Sequence, residues 1–192
     1  EPLVEIYGNK INDFAVRQYR KLRMCIKENT IYSSINSFPA AHYYEKGVLR
    51  KYWDIENIEK QDPSDDELRE LVIDSINIRK IADVSVGSYL SGGLDSSIIT
   101  SLLKPKYTWT VGFDNQNEFE WGKIMSNQIK SIHSETTVSE IEFLETAKMM
   151  INKKKEPLSV PNEVLIYIMT NKVKKFNTVI LSGEGADELF WG

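Results

Sequence analysis

From residue 64 onward the chain switches between short apolar runs and amphipathic segments, and few folds accept that rhythm. Residues 84–90, 107–113, 135–138 and 178–181 read as strands. Residues 96–104, 118–132 and 162–176 read as helices, and a further helix runs to about residue 152 from the capping pair Ser139 and Glu142. Ahead of them, Ser64 with Glu67 forms another capping box, and Asp65 and Asp66 suit the positive end of a helix that should reach about residue 82. Strands alternating with helices of roughly ten to fifteen residues imply right-handed crossovers and a parallel sheet. The expected class is α/β, an open parallel sheet with helices on both faces. Ligands of such sheets bind beyond the carboxyl ends of the strands, where the strand order reverses.

Residues 1–53 have a different texture. One helix is expected over 11–23, followed by short β segments, among them 40–44 and 48–53, which flank a turn at Glu45-Lys46-Gly47. The polar stretch 54–63 ends in Pro63 and reads as a linker, so residues 64–192 are expected to form the α/β domain and residues 1–53 part of something else. No apolar run approaches the roughly 18–20 residues of a membrane span, and a net charge of −4 gives no bulk attraction for nucleic acid. The single cysteine, Cys25, rules out an internal disulfide framework and fits a reducing, cytoplasmic setting. Lys153-Lys154-Lys155 reads as a solvated helix end.

Directly after the strand at 84–90 comes Ser91-Gly92-Gly93-Leu94-Asp95-Ser96-Ser97, and then a helix. The glycines allow a tight turn that gathers backbone N–H groups with no Cβ to keep an anion away. Ser96 and Ser97 add hydroxyls where the helix dipole favours negative charge. This is a device for holding phosphate oxygens, without the lysine of the ATPase P-loop or the glycine spacing of a dinucleotide fold. Asp95 fits an anion cradle only if a divalent cation such as Mg2+ lies between it and the phosphates.

After the last strand comes Ser182-Gly183-Glu184-Gly185-Ala186-Asp187-Glu188, with three carboxylates within five positions. Clustered carboxylates repel, so they make best sense around a cation or with one acid engaged in proton transfer. The bland alternative is an acidic helix start.

The first motif resembles the pyrophosphate loop of the N-type ATP pyrophosphatases. The two together resemble the glutamine-hydrolysing asparagine synthetase family, and the likeness extends along the chain. It implies an adenine nucleotide alpha hydrolase-like sheet preceded by a small β-rich remnant of a glutaminase domain, matched at residues 30–37, Phe38-Pro39-Ala40-Ala41-His42-Tyr43 and residues 49–54. It implies ATP and Mg2+, with Leu90, Ser91, Gly92, Gly93, Leu94, Asp95, Ser96, Ser97, Val111, Ser182 and Gly183 at the nucleotide. Asp95 and Asp187 would hold the metal, and Glu184 with Asp95 would be catalytic. The activity implied is amide formation through an acyl-adenylate: aspartate to asparagine with ammonia from glutamine, releasing AMP and pyrophosphate. Partners would be small molecules, with a homodimer as the candidate assembly and neither nucleic acid nor membrane involved.

Several positions stay open at this level. Glu118 reads as a helix cap or as an acid near the phosphates. Glu156-Pro157, before Ser159 and Pro161, resembles the family's loop beside the acyl substrate and equally reads as a linker. Cys25, inside a predicted helix, reads as buried filler, His42 as a packing or surface residue, and His133 as a cation at a helix end. Trp191-Gly192 replaces an expected glycine pair. The chain is expected to be an internal piece of a longer enzyme. The rival readings are a relative with another acyl substrate, such as a β-lactam synthetase or a sugar-acid amidotransferase, and a non-catalytic nucleotide-binding module.

Overall fold

The computed structural model describes residues 2–59 and 61–190, so the glycine-pair replacement at 191–192 lies outside the described residues. The chain divides into two compact units: Glu1–Asp62 with Lys148–Val160, and Pro63–Ala147 with Pro161–Gly192.

The first unit holds helices α1 (Pro2–Tyr7) and α2 (Asp13–Leu22) and the hairpin of β1 (His42–Glu45) and β2 (Val48–Lys51). Asn12 caps α2, its side chain accepting from the Ala15 N–H at 3.2 Å. Arg23, with φ of 60°, turns the chain out of the helix. Cys25 therefore lies beyond the helix, not within it, and is half-buried with Sγ 3.9 Å from the Ala15 carbonyl. Burial, and then Glu156, push its thiol pKa up, the opposite of an activated nucleophile.

The β structure that the resemblance implies over 30–37 reduces to single bridges, Ile11↔Tyr32 and Asn29↔Asn36. The Thr30 hydroxyl engages the carbonyls of Tyr32 and Ile35 and so competes with ladder formation. His42 opens β1, its Nδ1 2.7 Å from the Ala40 carbonyl. The segment around Glu156-Pro157 is held inside this unit. The Tyr32 hydroxyl donates to the Lys155 carbonyl, and the Tyr19 hydroxyl donates to the Leu158 carbonyl.

The second unit is α/β. Helix α3 (Asp65–Arg79) opens with both halves of the Ser64–Glu67 capping box. Then follow β3 (Val86–Tyr89), α4 (Leu94–Leu103), β4 (Tyr107–Phe113), α5 (Phe119–Gln128), β5 (Ile132–Val138), α6 (Glu140–Lys154), α7 (Asn162–Val173), β6 (Val179–Leu181) and α8 (Ala186–Phe190). The end of α6 falls within the first unit. The strands pair in parallel in the order β5-β4-β3-β6.

Strand alternation sorts the helices between the faces. Val86 and Leu181 pack with Ile76 and Val72 of α3 and Leu103 of α4, whereas Trp109 and Ile180 pack with Met169 and Val173 of α7. Phe113, on the α7 side, stacks 5.5 Å from Phe143 of α6.

The helix expected to reach residue 132 stops at Gln128. Lys130 takes φ of 58°, and residues 132–138 pair with all of β4. The sheet overrides helix propensity here, and His133 therefore lies on a strand, not at a helix end. Its imidazole is half-buried, and desolvation holds its pKa below the ordinary value.

Candidate functional site

The chain leaves β3 toward β4 and β5, then returns to the opposite side of β3 as β6. The carboxyl end of β3 is thus the switch point, and both motifs follow the two strands that meet there. They open onto one cleft of about 660 Å³ within the second unit. Leu90, Ser91, Gly93, Asp95, Ser96, Val111, Ser182, Gly183, Glu184 and Asp187 line it.

Gly92, Leu94 and Ser97 are not among the lining residues. Helix α4 begins two residues earlier than its sequence suggests, which places Leu94 and Ser97 one turn apart within it, with Leu94 75% exposed. Gly92, at φ of 92°, is pressed against α5: a Cβ there would come within 2.4 Å of the Trp121 Cβ.

The first loop is shaped by a closed circuit of hydrogen bonds. The Gly93 N–H donates to Ser91 Oγ at 3.3 Å, Ser91 Oγ lies 2.9 Å from Ser96 Oγ, and the Ser96 hydroxyl donates to the Gly93 carbonyl at 3.1 Å. Gly93 occupies the cap position of α4 without a side-chain acceptor, which leaves the first-turn amides for an acceptor from elsewhere.

The second motif crosses directly over this helix start. A Cβ on Gly183 would lie 3.0 Å from the Ser96 amide nitrogen and 3.1 Å from the Asp95 Cβ, so any larger residue would have to push this helix start aside by a few tenths of an ångström. The Ala186 N–H then returns to the Gly183 carbonyl at 3.2 Å, and α8 starts with Asp187 and Glu188 in its first turn. The two readings of this motif coincide: the acids begin a helix and also line the cleft.

Glu118 departs from the cap reading. It stands at the N-cap of α5, yet its side chain makes no capping bond and lines the cleft. The cleft thus gathers five carboxylates, Asp95, Glu118, Glu184, Asp187 and Glu188, with no Lys, Arg or His among the described lining residues. No three of these acids lie close enough together, among the described residues, to form a metal cluster by themselves, so a divalent cation there would need phosphate oxygens to complete its shell.

Sequence reasoning missed Gln116 and Asn117 of the β4–α5 loop, and Asn162, Leu165 and Met169 of α7. The loop pair follows a strand, so the rule that found the two motifs could have found it. The Asn117 side chain also ties that loop, donating to the Phe113 carbonyl at 2.8 Å. The α7 residues carry no local signal, because helical periodicity marks them only as buried.

A family model described as asparagine synthase matches residues 67–192. Asparagine synthetase [glutamine-hydrolyzing] 1 of Bacillus subtilis (strain 168) is 36% identical over 132 residues, covering 66% of this chain and 21% of the relative. Putative asparagine synthetase [glutamine-hydrolyzing] 2 of Methanocaldococcus jannaschii is 29% identical over 198 residues, covering 95% of this chain and 38% of the relative. Asparagine synthetase B [glutamine-hydrolyzing] of Escherichia coli (strain K12) is 27% identical over 188 residues, covering 83% and 34%. The chain thus spans 21% to 38% of the length of these curated relatives.

Proposed function

This chain belongs to the asparagine synthase family, and on that premise we propose that its cleft binds ATP and activates a carboxylic acid as the acyl-adenylate. The observation that carries the reading is the crossing of the two strand-end motifs at Gly183 and Ser96, which brings an anion cradle and an acidic cluster to one place. The loop 91–97 holds the β and γ phosphates on the open amides of α4, with the Ser91 and Ser96 hydroxyls fixing the shape of the loop. The backbone at Leu90, Val111, Ser182 and Gly183 meets the adenosine.

The acidic, base-free lining fits Mg2+, which typically takes one or two carboxylates beside phosphate oxygens, and Asp95 and Asp187 are the residues that would hold it. When bound, Mg2+ supplies charge neutralisation for the departing pyrophosphate. A carboxylate oxygen of the acyl substrate bonds to the α-phosphorus while the bond from that phosphorus to the bridging oxygen breaks, releasing pyrophosphate. Ammonia then adds to the acyl carbon and AMP leaves. Glu184, which also lines the cleft, is the residue that accepts the proton the nitrogen loses.

In the wider reading the protein is a cytoplasmic carbon–nitrogen ligase that converts aspartate to asparagine and acts as a homodimer. Residues 1–53 close a glutaminase domain that supplies the ammonia, 54–63 join it to the rest, and 64–192 belong to the synthetase domain. The test is calorimetric binding of ATP, AMP and pyrophosphate, with and without Mg2+, to the parent and to Asp95→Ala. Mg2+-dependent ATP binding that falls at least about tenfold in the variant is expected, together with aspartate-dependent AMP release by the intact protein. An intact, folded protein that ignores ATP overturns the reading.

A further inference from the structure

The sheet is one rung short at the floor of the cleft. β3 and β4 pair through Ser88↔Thr108 and Tyr89↔Trp109, and the Leu90 N–H still donates to the Trp109 carbonyl at 2.9 Å. In a continuing parallel ladder the next bond would run from the Val111 N–H to the Leu90 carbonyl. The ladder stops before it. The Leu90 carbonyl accepts the Thr110 hydroxyl instead, so a side chain takes the place of the backbone donor. The same alternation turns both the N–H and the C=O of Val111 toward the β3 side, onto the cleft that Val111 lines. A donor and an acceptor side by side on one extended residue match the Watson–Crick edge of adenine, which offers an acceptor ring nitrogen beside a donor amino group.

Thr110 is itself held in place. Its one hydroxyl proton goes to the Leu90 carbonyl, so its oxygen accepts from His133 Nε2, 3.4 Å away. That fixes the Nε2–H tautomer and leaves Nδ1 to accept from the Thr108 hydroxyl at 3.0 Å. The lowered imidazole pKa is in keeping with a neutral ring that donates on one side and accepts on the other. Gly122 leaves room for the pair, since a Cβ there would lie 2.9 Å from Thr110 Oγ1 and 3.2 Å from His133 Nε2.

We propose that Thr110, oriented by His133, is a positioning residue that keeps the final β3–β4 rung open so that the Val111 backbone can read the base of the bound nucleotide. The proposal rests on the cleft binding ATP. Thr110→Val keeps the shape and removes the hydroxyl, which frees the Leu90 carbonyl to capture the Val111 N–H.

The experiment uses the intact protein with Mg2+ and compares ATP, AMP and inorganic tripolyphosphate, which has no base. Thr110→Val is expected to weaken ATP and AMP by about tenfold, with tripolyphosphate changing less than about twofold, and Thr110→Ser is expected to restore the parent values. Amide hydrogen exchange without ligand gives a second reading, in which the Val111 N–H should exchange more slowly in Thr110→Val. Equal weakening of tripolyphosphate and ATP would reduce Thr110 to a packing residue and overturn the proposal, as would unchanged ATP affinity or unchanged Val111 exchange. A parent that binds tripolyphosphate but not ATP overturns base reading alone. A parent that binds neither overturns the ATP reading and this proposal with it.

Discussion

The two faces of β4 are both buried, yet they are built on opposite principles. Toward α7 the strand presents Tyr107, Trp109 and Val111. Trp109 is packed against Met169 and Val173, and Phe176 lies 5.5 Å from the rings of both Tyr107 and Trp109. Toward α4 and α5 the same sheet presents Thr108, Thr110 and His133, joined by Ser88 of β3, whose hydroxyl is 2.8 Å from that of Thr100 in α4. The first face adheres mainly by area, with the Trp109 indole N–H donating to Asn177 Oδ1 at 3.1 Å as a directional exception; the second adheres by direction, because every hydroxyl there needs a partner. Thr136 makes the contrast plain. Paired with Val111, it puts a hydroxyl on the apolar side, and it is the buried side-chain polar atom without a partner among the described residues. The directional face is the one that can end a ladder at a chosen residue.

The sharpest way to break this contrast is to cut the apolar face. Trp109→Ala, at a site only 4% exposed, should cost about 3–5 kcal/mol in urea unfolding. A cost below about 1 kcal/mol would mean that face is not the main source of cohesion.

On the directional face, Thr100→Val should cost about 1 kcal/mol, since it removes the Ser88–Thr100 bond while the Tyr89 and Leu181 carbonyls remain as acceptors for the Ser88 hydroxyl. Adding Ser88→Ala should cost less than the sum of the two single losses, and strictly additive losses would contradict the pairing. Thr136→Val should do the reverse and stabilise by about 1 kcal/mol, since it removes a buried hydroxyl that has no partner among the described residues. A destabilised variant would place an unseen partner there.

The smallest effect is one of pH. Burial first, with Lys123 adding and Glu135 opposing, holds the His133 pKa below the ordinary 6.5. The unfolded chain therefore binds a proton that the native ring refuses. This contribution to stability is complete above pH 6.5 and is lost as the pH falls from there toward the lowered value. Urea midpoints at pH 7 and 5.5 should converge in His133→Asn; an unchanged difference would remove His133 as the cause.

Much of this was legible in the chain. The strand at 107–113 carries its alternation in the letters, and both site motifs declare themselves as small residues and acids after apolar runs. That both faces of the strand are covered follows from the expected parallel sheet with helices on each side, but which hydroxyls and ring nitrogens meet on the threonine side could not be read, since those partners lie far apart in the chain. The stop of α5 at Gln128 was equally hidden. Ile129-Lys130-Ser131 contains no glycine or proline, and only pairing with β4 draws the chain out of the helix. Glu118 illustrates the limit of local rules, for an acid at a cap position need not cap. The α7 residues in the cleft are brought there by the fold alone.

The approach of Gly183 to Ser96 has a consequence for anyone who would transplant this site. Two loops that meet at a glycine, with little slack between them to absorb error, form a single part delivered by two distant stretches of sequence. Grafting either loop alone onto another parallel sheet would carry over its letters without its shape. A library that randomises one loop would be screened, in effect, by the other, so the two must be varied and selected together.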